Sequence, residues 1–119
     1  MSQHLLLVRG THWDKVLSTE ETQKILSRAN AWFDRLIQQG KAKGGQRLAP
    51  EGQIVSGDKG RTVTDGPFAE SKEAIAGCVF LEADNLDEAV EIAKGSPLLE
   101  IHAVSLEVRP VARQSGSSS

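Results

Sequence analysis

Gly77-Cys78-Val79-Phe80-Leu81-Glu82-Ala83 runs directly into Asp84-Asn85-Leu86-Asp87-Glu88-Ala89-Val90-Glu91-Ile92-Ala93-Lys94-Gly95-Ser96-Pro97. The first segment is short, apolar and rich in strand formers, which predicts a central β-strand. Asn85 with Glu88 three residues on predicts a helix start. Leu86, Ala89, Val90 and Ala93 give that helix one apolar side, and Gly95 with Pro97 stops it. Upstream, Leu5-Leu6-Leu7-Val8 ends at Gly10 and suits a strand buried on both faces, with Arg9 either aiming its guanidinium at an anion from the strand end or, the favoured reading, a solvated or ion-paired surface residue. Ser18 and Glu21 fit a capping box. From there Ile25, Ala29, Phe33 and Leu36 recur at helical spacing, widened by Leu26 and Ile37, with Lys24, Arg28, Asp34, Arg35 and Gln38 opposite. Gly40 is the expected left-handed stop. Trp32 falls at the margin of this stripe, placed either to finish the core or to reach into a cleft beside the helix.

Residues 41 to 64 carry short strands and many turn signals. Gly44-Gly45 reads as a break before Gln46-Arg47-Leu48, and Pro50-Glu51-Gly52 as the next. Gln53-Ile54-Val55 and Arg61-Thr62-Val63 flank a Gly-containing loop, which predicts a hairpin. Neither GxGxxG nor the Walker pattern is present, so these glycines do not form a phosphate loop. Leu99 to Val104 and Ser105 to Val111 supply the last strand or strand pair, and Pro110 marks its end or edge. Residues 1–111 are then one domain, and the serine-rich residues 112–119 a disordered tail. Setting the hairpin aside, the order is β-α-β-β-α-β. It predicts an α+β fold, a ferredoxin-like sandwich with an antiparallel sheet and both helices on one face. The face left bare predicts a second subunit, hence a homodimer.

Composition narrows the function. The 119 residues suffice for one core, and 39% hydrophobic with 25% charged residues is ordinary for a soluble globular chain. A net charge of −2 and the lack of Tyr argue against a nucleic-acid partner. No apolar run approaches the roughly 20 residues of a membrane span, and Met1 to His4 lacks a basic leader region, so a cytoplasmic protein without membrane contact is expected. Cys78 is the one cysteine and reads as a small core residue. His4, His12 and His102 lack metal-ligand spacing, so no metal or other cofactor is expected.

The densest chemistry lies in Thr64-Asp65-Gly66-Pro67-Phe68-Ala69-Glu70-Ser71-Lys72-Glu73. Turn residues and unlike charges together predict a shaped loop, the usual bearer of functional groups. Asp65 and Glu70 are the candidate general acid or base, and burial beside Phe68 would raise a carboxyl toward neutrality for that work. Lys72 would anchor an anionic group. With Trp32 and Phe68 as apolar walls, Asp65, Glu70 and Lys72 make a candidate small-molecule site between the first helix and this loop. An architectural account is also open: Asp65 caps its turn, Phe68 plugs the core, and Glu70 to Glu73 cap the next segment.

Val63 to Glu73 closely resembles the signature of the DGPF-type (DGPFAETKE) proteins among the YCII-related domains. The likeness continues through Gly77, Leu86-Asp87-Glu88-Ala89, Pro97 and Leu106 to Val111. The resemblance implies the same sandwich, paired sheet to sheet as a dimeric α/β barrel. It also implies a possible tie to sigma-factor systems, hence a protein-interaction module as an alternative to a ligand binder or a lyase- or isomerase-type enzyme. Some members of the wider superfamily carry a histidine in the first helix and an aspartate before a proline after the second, an acid–base dyad. Here Trp32 and Ser96 stand near those positions. Neither can ionise as required. The resemblance therefore does not carry the dyad mechanism over.

Overall fold

The computed structural model describes residues 2–10, 18–49, 51–65, 75–101 and 104–112. In chain order the elements are β1 (Ser2–Arg9), α1 (Thr19–Gln38), β2 (Ala42–Arg47), β3 (Gln53–Ser56), β4 (Thr62–Asp65), β5 (Ile75–Ala83), α2 (Leu86–Lys94) and β6 (Ser105–Pro110). A four-stranded antiparallel sheet has the order β2-β5-β1-β6, and β3-β4 form a separate two-stranded hairpin. The predicted central strand lies inside the sheet, with Leu6 opposite Val79 on one side and Gly45 opposite Val79 on the other. With the hairpin set aside, the element order is the expected β-α-β-β-α-β.

The first helix starts as its sequence dictates. Ser18 Oγ accepts from the Glu21 backbone N–H, and the Glu21 carboxylate accepts from the Ser18 N–H, each at 3.1 Å. Gln39 caps the C-terminus and Gly40 follows at φ +75°. The buried residues are Ile25, Ala29, Trp32 and Leu36. At 100° per residue these four fall within about 60° of arc. Trp32 stands at one end of that arc, at the margin where the sequence places it, and is buried there. Phe33 and Leu26 are half-buried beyond the other end, and Ile37 is exposed. On α2, Ala89 and Ala93 are buried while Leu86 is exposed.

Both helices cover one face of the sheet. Leu6, Trp32, Leu36, Ala42, Leu81, Ala83, Ala89 and Ala93 form one cluster, and Val8, Ile25, Ile101 and Val104 a second beside it. Burying the valine, leucine and isoleucine side chains among them contributes about 1.5–3 kcal/mol each. Arg28 pairs with Glu100 and ties α1 to the turn after α2.

Four expectations need correction. First, β1 is not buried on both faces within one chain. His4, Leu6 and Val8 point to the helices and are buried, whereas Leu5 and Leu7 are only half-covered. Second, Cys78 lies opposite Leu7 on that same uncovered face and is half-buried, so it is no core residue. Third, Gly44 and Gly45 are inside β2, with the register shifted between Ala42 and Gly44, rather than forming a turn. Fourth, the described residues between Leu99 and Val104 hold no strand. A 3-10 turn runs Pro97–Glu100, with Pro97 in its first turn and the Ser96 hydroxyl accepting from Leu98 N–H at 3.2 Å. Arg9 is ion-paired, as one of its two readings held, with Glu107 at 2.5 Å.

Candidate functional site

A cavity of about 190 Å³ opens between α1 and the β2–β5 side of the sheet. Leu26, Ala29, Asn30, Trp32 and Phe33 reach it from α1, and Leu98 from the 3-10 turn. Its floor is made by residues 45–47 and 76–79, with Val8 beside them. The hollow has a simple origin. Gly45 faces Val79 and Arg47 faces Gly77 across the β2–β5 ladder, so two positions on the helix-facing side have no side chain to fill the space beneath α1. Nor would one fit. A Cβ on Gly45 would lie 2.6 Å from the Cys78 carbonyl oxygen, and one on Gly77 2.8 Å from that of Gln46. The strands approach so closely that the floor is bare backbone.

The walls are aromatic and aliphatic. The polar side chains at the opening are Asn30 and Arg47, both exposed; Gln46, opposite Cys78, turns its side chain to the other face of the sheet, and no described lining residue is Asp or Glu. Such a site takes an apolar body and leaves a polar end near solvent.

Of the residues singled out in the sequence, Trp32 lines this cavity with most of its surface buried. Asp65 closes β4, its backbone opposite Gln53 in the hairpin. Phe68, Glu70 and Lys72 lie outside the described residues, as do His12 and His102. The segment that carries the motif joins β5 at Ile75, next to Ala76 and Gly77 of the cavity floor. Asn30, Gly45, Arg47, Gly77 and Leu98 were not singled out. A signal for the glycines existed: a glycine inside a strand pattern marks close backbone approach.

His4 is buried on β1, with its Nδ1 3.3 Å from the Ser2 carbonyl oxygen. Among the described residues no three His, Cys, Asp or Glu side chains gather as a metal site, and no helix is long and apolar enough to cross a membrane.

The sequence pattern of the YCII-related domain matches residues 5–114. The chain belongs to the YCII-related domain family. An uncharacterised protein of Rhizobium meliloti (strain 1021) is 32% identical over 98 residues, covering 80% of this chain and 79% of its own. Among solved structures, the 5-chloro-2-hydroxyhydroquinone dehydrochlorinase of Burkholderia phenoliruptrix AC1100, in complex with 2,5-dihydroxybenzoquinone, superposes with a TM-score of 0.55. That alignment covers 95% of this chain and 96% of the enzyme at 13% identity, which is a likeness of fold. This YCII-related chain thus shares a mixed α+β fold with an enzyme, at an identity that transfers no chemistry.

Of the two positions compared with the family dyad, Trp32 packs against the backbone just before Ser96. The Trp32 indole nitrogen lies 3.4 Å from where a Cβ on Gly95 would stand, next to buried Ser96. The Ser96 hydroxyl is occupied in capping the 3-10 turn.

Proposed function

We propose that this YCII-related chain is of the DGPF type and acts as a cytoplasmic homodimer that binds a small organic molecule in the cavity beside α1. Trp32 supplies an aromatic wall, and the motif segment, with Asp65, Phe68, Glu70 and Lys72, completes the side where it joins β5. The observation that carries this reading is the bare-backbone floor at Gly45 and Gly77 beneath an aromatic roof. Turnover by Asp65 or Glu70, as a lyase or isomerase, extends the same reading.

A thermal-shift screen of metabolites on the wild type, Asp65→Asn and Trp32→Leu tests it. A ligand at 100 times its Kd stabilises by about 2.7 kcal/mol, a shift of several degrees. The expected result is a compound that shifts the wild type and neither variant. A flat screen would move the weight to an interaction module. That second reading is favoured by the hairpin, where Ile54, Val55 and Val63 are 48%, 62% and 54% exposed.

A further inference from the structure

We infer that the cavity takes a small monoanion with a flat apolar body, its negative group held by Arg47. The inference rests on the reading of this cavity as a ligand site and adds the chemical class of the ligand. Arg47 ends β2 opposite Gly77, so its side chain leaves the sheet on the helix side, beside a position that has no side chain to obstruct it. It is exposed at the opening of the cavity.

Charge bookkeeping around it is one-sided. Arg9, Lys24, Arg28 and Lys94 each have a carboxylate partner. Arg47 has none among the described residues, as is true of Arg35, Lys41, Lys43, Lys59 and Arg61, but of these it alone lines the cavity, whose described lining holds no acid to neutralise it. A guanidinium is a planar fork that pairs with a carboxylate through two parallel hydrogen bonds. Set over an apolar hollow, it gains little from a neutral guest and more from one that carries an anion to the opening. Asn30 stands at the same opening and can donate to the second face of that anion.

Volume sets the body. An apolar cavity of about 150 Å³ accommodates benzene, so about 190 Å³ here suits one ring with one or two substituents. Trp32 and Phe33 at the walls suit a flat ring edge-on or offset-stacked.

Benzoate and benzamide are near-isosteric and differ in charge, so they separate the two claims. Isothermal titration of each into the full chain, into Arg47→Gln and into Arg61→Gln is the test. Arg61 is exposed, beside the hairpin, and is absent from the cavity lining, so it controls for net charge. Arg47 is exposed on an edge strand, and the variant should keep the wild-type melting temperature.

The expected result is benzoate at least about tenfold tighter than benzamide in the wild type and in Arg61→Gln. In Arg47→Gln that preference should vanish while benzamide affinity stays unchanged. Equal affinities in the wild type, or a preference that survives Arg47→Gln, would overturn the anion inference and leave the cavity as a ligand site. No binding of either probe would sink both together.

Discussion

Ser18 and Glu21 hold the start of α1, and their effect can be separated from the rest of the molecule. The reciprocal bonds satisfy two backbone donors that the helix leaves without partners. Ser18→Ala should cost about 1 kcal/mol, read as a lower urea midpoint at unchanged slope. The Ser18 backbone N–H, then its hydroxyl, holds the Glu21 carboxyl below its ordinary value of 4.5, helped by Lys24. A depressed carboxyl stabilises fully above that ordinary value and loses its contribution as pH falls through the lowered one. The deficit of Glu21→Gln relative to wild type should therefore shrink as pH drops below 4.5. A deficit constant down to strong acid would show that the carboxylate is not the acceptor. These two residues were legible because capping needs only neighbours in the chain. Arg47 was not. Its role depends on what faces it across the ladder, and Gly77 is thirty positions away in the chain.

At the scale of elements, the hairpin, both helices and the central strand were legible from local pattern, and β2 and the 3-10 turn were not. Gly44 and Gly45 have the look of a turn, but pairing with β5 holds them extended. That is tertiary context overriding propensity. The run from Leu99 to Val104 has the apolarity of a strand. Ser96 and Pro97 instead start a 3-10 turn, which lets Ile101 and Val104 join Val8 and Ile25 in the second cluster.

The hairpin itself was foreseen in place but not in its independence. Val55 lies directly opposite Val63, yet both are mostly exposed. A lone two-stranded hairpin is marginal in water, and a cross-strand pair contributes only about 0.2–1 kcal/mol. Val55→Ser should accordingly lower unfolding stability by less than about 1 kcal/mol at micromolar protein. A loss of 2 kcal/mol or more, in the range of a core truncation, would mean that Val55 is covered by another surface in solution. The interaction reading would then gain at the expense of the ligand reading.

For the whole molecule, the unresolved contrast is between a run that reads as buried on both faces and a chain that covers only one. Leu5 and Leu7 lie across from Phe80 and Cys78 on the side away from the helices, and Phe80 and Ile75 are each 38% exposed. Arg9, Glu107 and Arg109 flank them as a linked charge row. An apolar centre with a charged margin is the composition of an interface core and rim. A two-fold axis through it would bring like residues together, so each copy would cover the other's Leu5, Leu7 and Phe80. The uninterrupted Leu5-Leu6-Leu7-Val8 then needs no exception to hydrophobic patterning. Light scattering should give a mass twice the 12.8 kDa of one chain. Phe80→Glu should halve it. Because Phe80 points away from the helices, the variant should keep its far-ultraviolet circular dichroism, and two carboxylates facing across the axis would carry a desolvation cost of several kcal/mol. A monomeric wild type, or a Phe80→Glu protein that stays dimeric, would place the interface elsewhere and leave this face bare.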